Sequence, residues 1–157
     1  VYILKDREQL YHRLAGYFQE YGDCIAEKFN SGGEYTVGIV CDEVLPIIQI
    51  KPAEGYYDYQ AKYQRNDTRY LFETELESWQ MEKMRANAFR AYQVLGCKDL
   101  CRIDFMAEAG QEPQLMEVNT LPGFTSHSLV PKAAEKFGYS MPEICDKIVQ
   151  NAFMRPI

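Results

Sequence analysis

The chain has 157 residues, 46% of them hydrophobic and 25% charged, which is the balance of one globular domain with a real core. A formal net charge of −6 argues against a nucleic-acid partner. No apolar run approaches the length of a membrane span, so no membrane association is expected.

In chain order, Val1-Tyr2-Ile3-Leu4 opens without Met and without the character of a signal peptide. It reads as the continuation of a longer polypeptide. Asp6 followed by Gln9 is a capping-box start. Leu10, Leu14, Tyr17, Phe18 and Tyr21 then recur at helical spacing as a core stripe, and Gly22 is the stop. Cys24 to Phe29 reads as a strand, and Asn30-Ser31-Gly32-Gly33 turns the chain. Glu34 to Cys41 and Val44 to Ile50 read as a hairpin across Asp42-Glu43.

From Lys51 to Phe72 the periodicity is lost, and Pro52, Gly55, Asn66 and Asp67 mark loops. Loops of this length are often functional lids, and Lys62 is the natural hand for a phosphate there. Taken alone, Lys62 also fits a solvated lysine in a tyrosine-rich loop. A helix follows from Leu76 to Leu95, with Met81, Met84, Ala88, Ala91, Tyr92 and Leu95 as its apolar stripe and Gly96 as its stop. Val130 to Phe137 is a short helix closed by Gly138. Ser140 and Glu143 cap a last helix through Phe153. Cys24, Cys41, Cys97, Cys101 and Cys145 are odd in number and show no zinc spacing, so buried or half-buried free thiols in a reducing cytoplasm are expected.

The most informative stretch lies between the Leu76–Leu95 helix and the Val130–Phe137 helix. Arg102-Ile103-Asp104-Phe105-Met106 alternates polar and apolar, and so does Gln114-Leu115-Met116-Glu117-Val118-Asn119. That is the period of strands with two different faces. Glu108 to Pro113 has the composition of a turn. With the register centred between Gly110 and Gln111, Asp104 lies opposite Glu117 and Arg102 opposite Asn119, all on one face. Two carboxylates and an amide beside an arginine suit an oxygen-seeking divalent cation. Two such ions about 3.5–4 Å apart would share Glu117. The same pattern also fits an ordinary hairpin with a solvated polar face and an Arg–Asp pair.

Arg102-Ile103-Asp104, Met116-Glu117-Val118-Asn119-Thr120, Pro122-Gly123, Thr125-Ser126-His127-Ser128-Leu129-Val130-Pro131 and Asp58-Tyr59-Gln60-Ala61-Lys62-Tyr63 together resemble the C-terminal signature of the D-alanine–D-alanine ligases, members of the ATP-grasp superfamily. The resemblance runs from about Glu27 to Phe153 in the family's order. It implies an α+β fold, the C-terminal ATP-binding portion of an ATP-grasp domain, with a mixed or antiparallel sheet flanked by helices. Residues 1–157 would be a partial ATP-grasp domain, the N-terminal substrate domain and the glycine-rich phosphate loop lying outside this chain.

The resemblance also implies chemistry. ATP phosphorylates one D-alanine, and the amine of a second attacks the acyl phosphate, in precursor synthesis for peptidoglycan. Such a reaction needs positive charge around the transferring phosphoryl group and donors for an oxyanion. By resemblance Glu27 would accept from the adenine amino group, Lys28, Phe29 and Asn30 would line the nucleotide slot, and Glu34 would take the ribose hydroxyls. Asn30 stands where the family prefers an apolar residue, and Gly33 where Pro or Arg is usual; both would loosen that slot. Glu117 would bridge two Mg2+ ions (Mn2+ is the alternative), with Asp104 on one and Asn119 on the other. Arg102 and the Gly123 backbone N–H would face the oxyanion. Ser128 and the Leu129 N–H would hold the carboxylate of the second D-alanine, at a helix start suited to anions. His127 reads as mainly structural. Lys62 and Tyr63 would act in the lid, Tyr63 favouring an amine over D-lactate as acceptor. The expected protein is cytoplasmic and homodimeric at full length. Two other readings remain at this point: a catalytically incomplete nucleotide-binding fragment, and an ATP-grasp ligase for another carboxylate and amine.

Overall fold

Along Gly33–Val40, strand β1, the buried apolar residues Tyr35, Val37 and Ile39 alternate with Glu34, Thr36 and Gly38. A strand reading this way needs cover on both faces, and β1 has strands on both sides. The computed structural model describes residues 2–4, 6–51 and 68–155. In chain order the strands that follow β1 are β2 (Glu43–Val44), β3 (Ile48–Lys51), β4 (Arg69–Leu71), β5 (Leu100–Ala107) and β6 (Gln114–Asn119). The sheet order is β4-β3-β1-β5-β6, with β2 also on β1. Every pairing among the described residues is antiparallel, so the sheet is antiparallel rather than mixed. With four helices among the described residues this is an α+β fold.

The chain divides into two units, Val1–Ser31 and Gly32–Ile157. In the first, helix α1 (Arg7–Tyr21) starts as its sequence predicts. The Asp6 carboxylate accepts from Gln9 N at 2.8 Å, and Gly22, at φ 74°, donates its N–H to Phe18 O. Two expectations fail here. The α1 stripe is not core: no residue of the helix is fully buried, and Phe18 and Tyr21 are exposed. A single helix has no second layer within its own unit to bury a stripe against; Tyr2 stacked on Tyr17, with centroids 4.6 Å apart, covers part of it. Cys24 to Phe29 is not a strand and has no regular secondary structure. A strand holds only by pairing, and this stretch has no strand partner in its unit.

In the second unit, α2 (Ser78–Val94) lies on one face of the sheet and packs Met84, Ala88 and Tyr92 against Tyr35, Val37, Ile39, Ile103 and Phe105. The helices α3 (Leu129–Phe137) and α4 (Met141–Phe153) cover part of the other face. There Val130, Ala133, Ala134 and Ile144 meet Val40, Leu45 and Ile48. Gly38 allows this approach, because a Cβ on it would lie 3.1 Å from Leu45 Cδ1 and 3.4 Å from both Val130 methyl groups. The apolar part of this face therefore belongs to β3 and the end of β1, and the polar part to β5, β6 and the start of β1 at Glu34 and Thr36.

The β1–β2 hairpin turns at Cys41-Asp42, one residue before the expected Asp42-Glu43, since Val40 pairs with Glu43. Both turn residues have positive φ, 46° and 68°, the backbone of a tight two-residue hairpin. The second strand breaks after Val44, at the proline of Leu45-Pro46-Ile47, which has no N–H for a ladder. Of the expected α2 stripe, Leu95 is exposed, and Gln80 takes a buried place instead. Cys97 and Cys101 are buried free thiols, but Cys24 and Cys145 are exposed. No helix among the described residues is long and apolar enough to cross a membrane.

Two tie points generate predictions. Fully buried Gln80 donates Nε2 to Glu108 O (2.8 Å) and Gln111 O (2.7 Å), and accepts at Oε1 from Glu77 N (3.1 Å). One amide thus joins the start of α2 to the β5–β6 turn. Gln80→Leu removes these three hydrogen bonds and should lower stability by about 1–3 kcal/mol, read as a lower urea midpoint at unchanged slope. Glu43 accepts from Tyr139 Oη (2.7 Å) and Lys147 Nζ (3.1 Å). Those two partners, the tyrosine first, hold its carboxyl below the ordinary range. A depressed folded pKa gives stability that is present above the unfolded pKa and lost as pH falls through the folded one. The stability gap between the parent and Glu43→Gln should be full at neutral pH and close in acid, followed by denaturation at a series of pH values.

Candidate active site

On β5, Cys101, Ile103 and Phe105 enter the apolar core, so Arg102 and Asp104 must face the other way. The β5–β6 register puts Arg102 opposite Asn119, Ile103 opposite Val118 and Asp104 opposite Glu117. The four polar residues singled out in the sequence therefore share one face in the expected pairing. Beyond Asp104 the register differs: Phe105 pairs with Leu115 and Met106 with Gln114, leaving Met116 as an extra residue. This is a β-bulge, a device that locally re-aims side chains. A plain ladder would put Leu115 on the face of Glu117. The bulge pairs it with Phe105 on the α2 side and keeps the polar face free of it.

The face is ordered by charge. Arg102 forks Asp104, Nε to Oδ1 at 2.9 Å and Nη2 to Oδ2 at 2.7 Å, the bidentate geometry of a guanidinium with a carboxylate. Glu117 Oε1 lies 3.7 Å from the same Nη2. The Asp104 side chain is 7% exposed and that of Glu117 55%. Thr36, a residue that sequence reasoning missed, sits on β1 directly opposite Asp104 and donates to Oδ1 at 2.7 Å. The signal for it was the alternation of Glu34, Thr36 and Gly38, but the β1–β5 pairing that gives it meaning joins residues far apart in the chain.

The donors fit a hard divalent cation that brings ligands of its own. Asp104 accepts three hydrogen bonds, which leaves roughly one of a carboxylate's four lone-pair sites. Glu117 is largely open. Asn119 Oδ1 accepts from Leu121 N at 3.0 Å and keeps acceptor capacity. Among the described residues no three His, Cys, Asp or Glu side chains gather as a closed metal cage. Such a set suits Mg2+, which takes one or two carboxylates and fills its shell with phosphate oxygens and water.

After β6 the chain forms a small knot of hydrogen bonds. Ser128 Oγ accepts from Thr125 N (3.0 Å) and shares a bond with Thr125 Oγ1 (3.0 Å), while Ser128 N donates to Thr125 O (2.9 Å). Gly123 sits against this knot, where a Cβ would come 3.1 Å from Ser128 Oγ. Ser128 is the N-cap of α3 by backbone, but its hydroxyl serves the loop instead of the helix. Leu129 opens α3, and His127 beside it is exposed.

The remaining candidates are dispersed. Glu34 lies on the polar face of β1, opposite Met106 and two residues from Thr36. Glu27, Lys28, Phe29 and Asn30 belong to the Val1–Ser31 unit and have no regular secondary structure; the first three are exposed and Asn30 is half-buried. Lys62 and Tyr63 lie outside the described residues. Burial, and then neighbouring Cys97, push the Cys101 thiol up to about 12, so this pair is inert packing.

The family model for the D-ala D-ala ligase C-terminus matches residues 1–150. The chain is 45% identical over 128 residues to the D-alanine–D-alanine ligase of Dechloromonas aromatica, covering 82% of this chain and 42% of that protein. It is 45% identical over 127 residues to D-alanine–D-alanine ligase B of Chromobacterium violaceum, covering 81% and 42%. The chain thus spans about two fifths of the length of these curated relatives. Its structure is similar to the D-alanine–D-alanine ligase of Bacillus anthracis complexed with ATP, at a TM-score of 0.75 and 30% identity, covering 94% of this chain and 47% of that one. It is also similar to the VanG D-Ala:D-Ser ligase of Enterococcus faecalis, at a TM-score of 0.73 and 26% identity, covering 92% and 43%. A family match over nearly all of the chain, on the fold and polar hairpin described above, means that this chain belongs to the D-alanine–D-alanine ligase C-terminal family.

Proposed function

We propose that the whole protein carrying this chain is an ATP-dependent ligase that joins two D-alanines through a D-alanyl phosphate, for peptidoglycan precursors, and that this chain supplies the face on which the phosphoryl group is transferred. The observation that carries the reading is the register of β5 and β6, which puts Arg102, Asp104, Glu117 and Asn119 side by side. Asp104, Glu117 and Asn119 would hold two Mg2+ ions, or Mn2+. When bound, the ions neutralise charge on the transferring phosphoryl group.

The chain's own groups do the rest. Arg102 is a fixed cation with five donors, and an arriving anion competes with Asp104 for its fork. The Gly123 backbone N–H supplies a second donor to the oxyanion, and a glycine there lets the backbone approach closely. Ser128 and the Leu129 N–H hold the second carboxylate at the start of α3. Glu34 takes the ribose, Glu27 the adenine amino group, and Lys28, Phe29 and Asn30 line the base. Lys62 binds a phosphate as a point charge. The protein works in the cytoplasm as a homodimer. The chain spans 42% of the length of the Dechloromonas aromatica ligase; the second reading is that, taken by itself, it binds nucleotide without turnover.

Glu117→Gln in the full-length enzyme should lower Mg2+-dependent ATP turnover by more than about 100-fold, because one charge serves both ions. Near-normal turnover at ordinary Mg2+ would remove the two-ion reading. Tyr63 should favour the amine acceptor, since its hydroxyl can both donate and accept a hydrogen bond. In competition near neutral pH the parent should make dipeptide almost exclusively, and Tyr63→Phe should admit more D-lactate. An unchanged partition would take Tyr63 out of the specificity account.

A further inference from the structure

We propose that Thr36 is a positioning residue that anchors the Asp104 carboxylate independently of Arg102, so that Asp104 keeps its aim at a divalent cation when Arg102 turns to an arriving anion. The proposal rests on the ligase reading above. Asp104 is held from two sides. From its own strand Arg102 grips both oxygens, at 2.9 and 2.7 Å. From the neighbouring strand the Thr36 hydroxyl donates to Oδ1 at 2.7 Å. The other acceptor within reach of that hydroxyl, Ile103 O, is at 3.4 Å, so the carboxylate is the main partner.

The two holders differ in what they are free to do. Arg102 is 17% exposed and has Glu117 3.7 Å from its Nη2, so it already stands between two carboxylates. A negative group on this face adds a further claim on it. A carboxylate held only by Arg102 would follow the guanidinium, because rotation about the last torsion of Asp is soft and two-fold. Thr36 removes that freedom. It is 2% exposed, lies on the central strand and is paired with strands on both sides; its β-branched side chain is stiff at χ1. It also distinguishes the two oxygens. Among the described residues, Oδ1 is held by Thr36 and Arg102 Nε, and Oδ2 by Arg102 Nη2. Oδ2 is therefore the oxygen released to a cation when Nη2 moves, with Oδ1 as the pivot.

The test uses the full-length enzyme, with Mn2+ binding in the presence of ADP followed by electron paramagnetic resonance, and with turnover and thermal midpoint measured alongside. Thr36→Val keeps the shape and removes the donor; it should weaken Mn2+ about tenfold, and Thr36→Ser, which restores the donor, should stay within about threefold of the parent. At saturating metal the Thr36→Val kcat should fall less than its metal affinity. Parent-like Mn2+ affinity in Thr36→Val would overturn the proposal alone, and so would equal weakening in the Val and Ser variants with matching losses of thermal midpoint. No Mn2+ binding by the parent itself would overturn the ligase reading together with it.

Discussion

The pairing of β1 with β5 is the constraint on which the second unit depends. Eight residue pairs, from Gly33 with Ala107 to Val40 with Leu100, join segments sixty or more residues apart. The pairing fixes both faces at once. Phe105 and Ile103 are set against Val37 and Tyr35 beneath α2, and Asp104 is set against Thr36 on the other side. Because side chains alternate with a period of two, a slip of one residue would turn the core outward and the polar row inward. The core and the site thus share one register, and burying Phe105 is also what aims Asp104.

A buried carboxylate is costly unless it is paired and hydrogen-bonded. Asp104 meets that condition within the chain, through a bidentate arginine and a threonine hydroxyl. Glu117, directly opposite, is half-exposed and less engaged. The pair is therefore unequal: one carboxylate is fixed in the fold and the other is available to solvent and ligands. Ligand binding on this face would spend little ordering energy on Asp104 and more on Glu117.

Much of this could be read in the sequence where the information is local. The capping residues Asp6 and Ser140, the stop at Gly138 and the Asp104–Glu117 pairing across a short turn all depend on neighbours a few residues away, and each is where the pattern put it. Reading Gln114 to Asn119 as alternation passes over the Met116 bulge: Leu115 and Met116 are adjacent apolar residues, and only the pairing identifies Met116 as the extra one. Thr36 and Gln80 were missed for a related reason. Each is an ordinary polar residue whose partners, Asp104 and the Glu108–Gln111 turn, come from distant segments. The α1 stripe misled because periodicity reports a face that wants cover, not whether the same unit supplies it.

The bulge at Met116 has a consequence for how this segment can vary in length. The β5–β6 hairpin is held at one end by the side-chain row and at the other by Gln80 gripping the carbonyls of the turn. The extra residue lies between these two fixed ends, so a shorter β6 keeps both: with any one residue from Gln114 to Met116 deleted, the remaining two pair with Phe105 and Met106 in a plain ladder and Glu117 stays opposite Asp104. Deleting Glu117 itself would put Met116 opposite Asp104 and remove a carboxylate from the row. Substitutions at Met116, which is half-exposed, have room to accumulate, and so has the loss of one residue beside it.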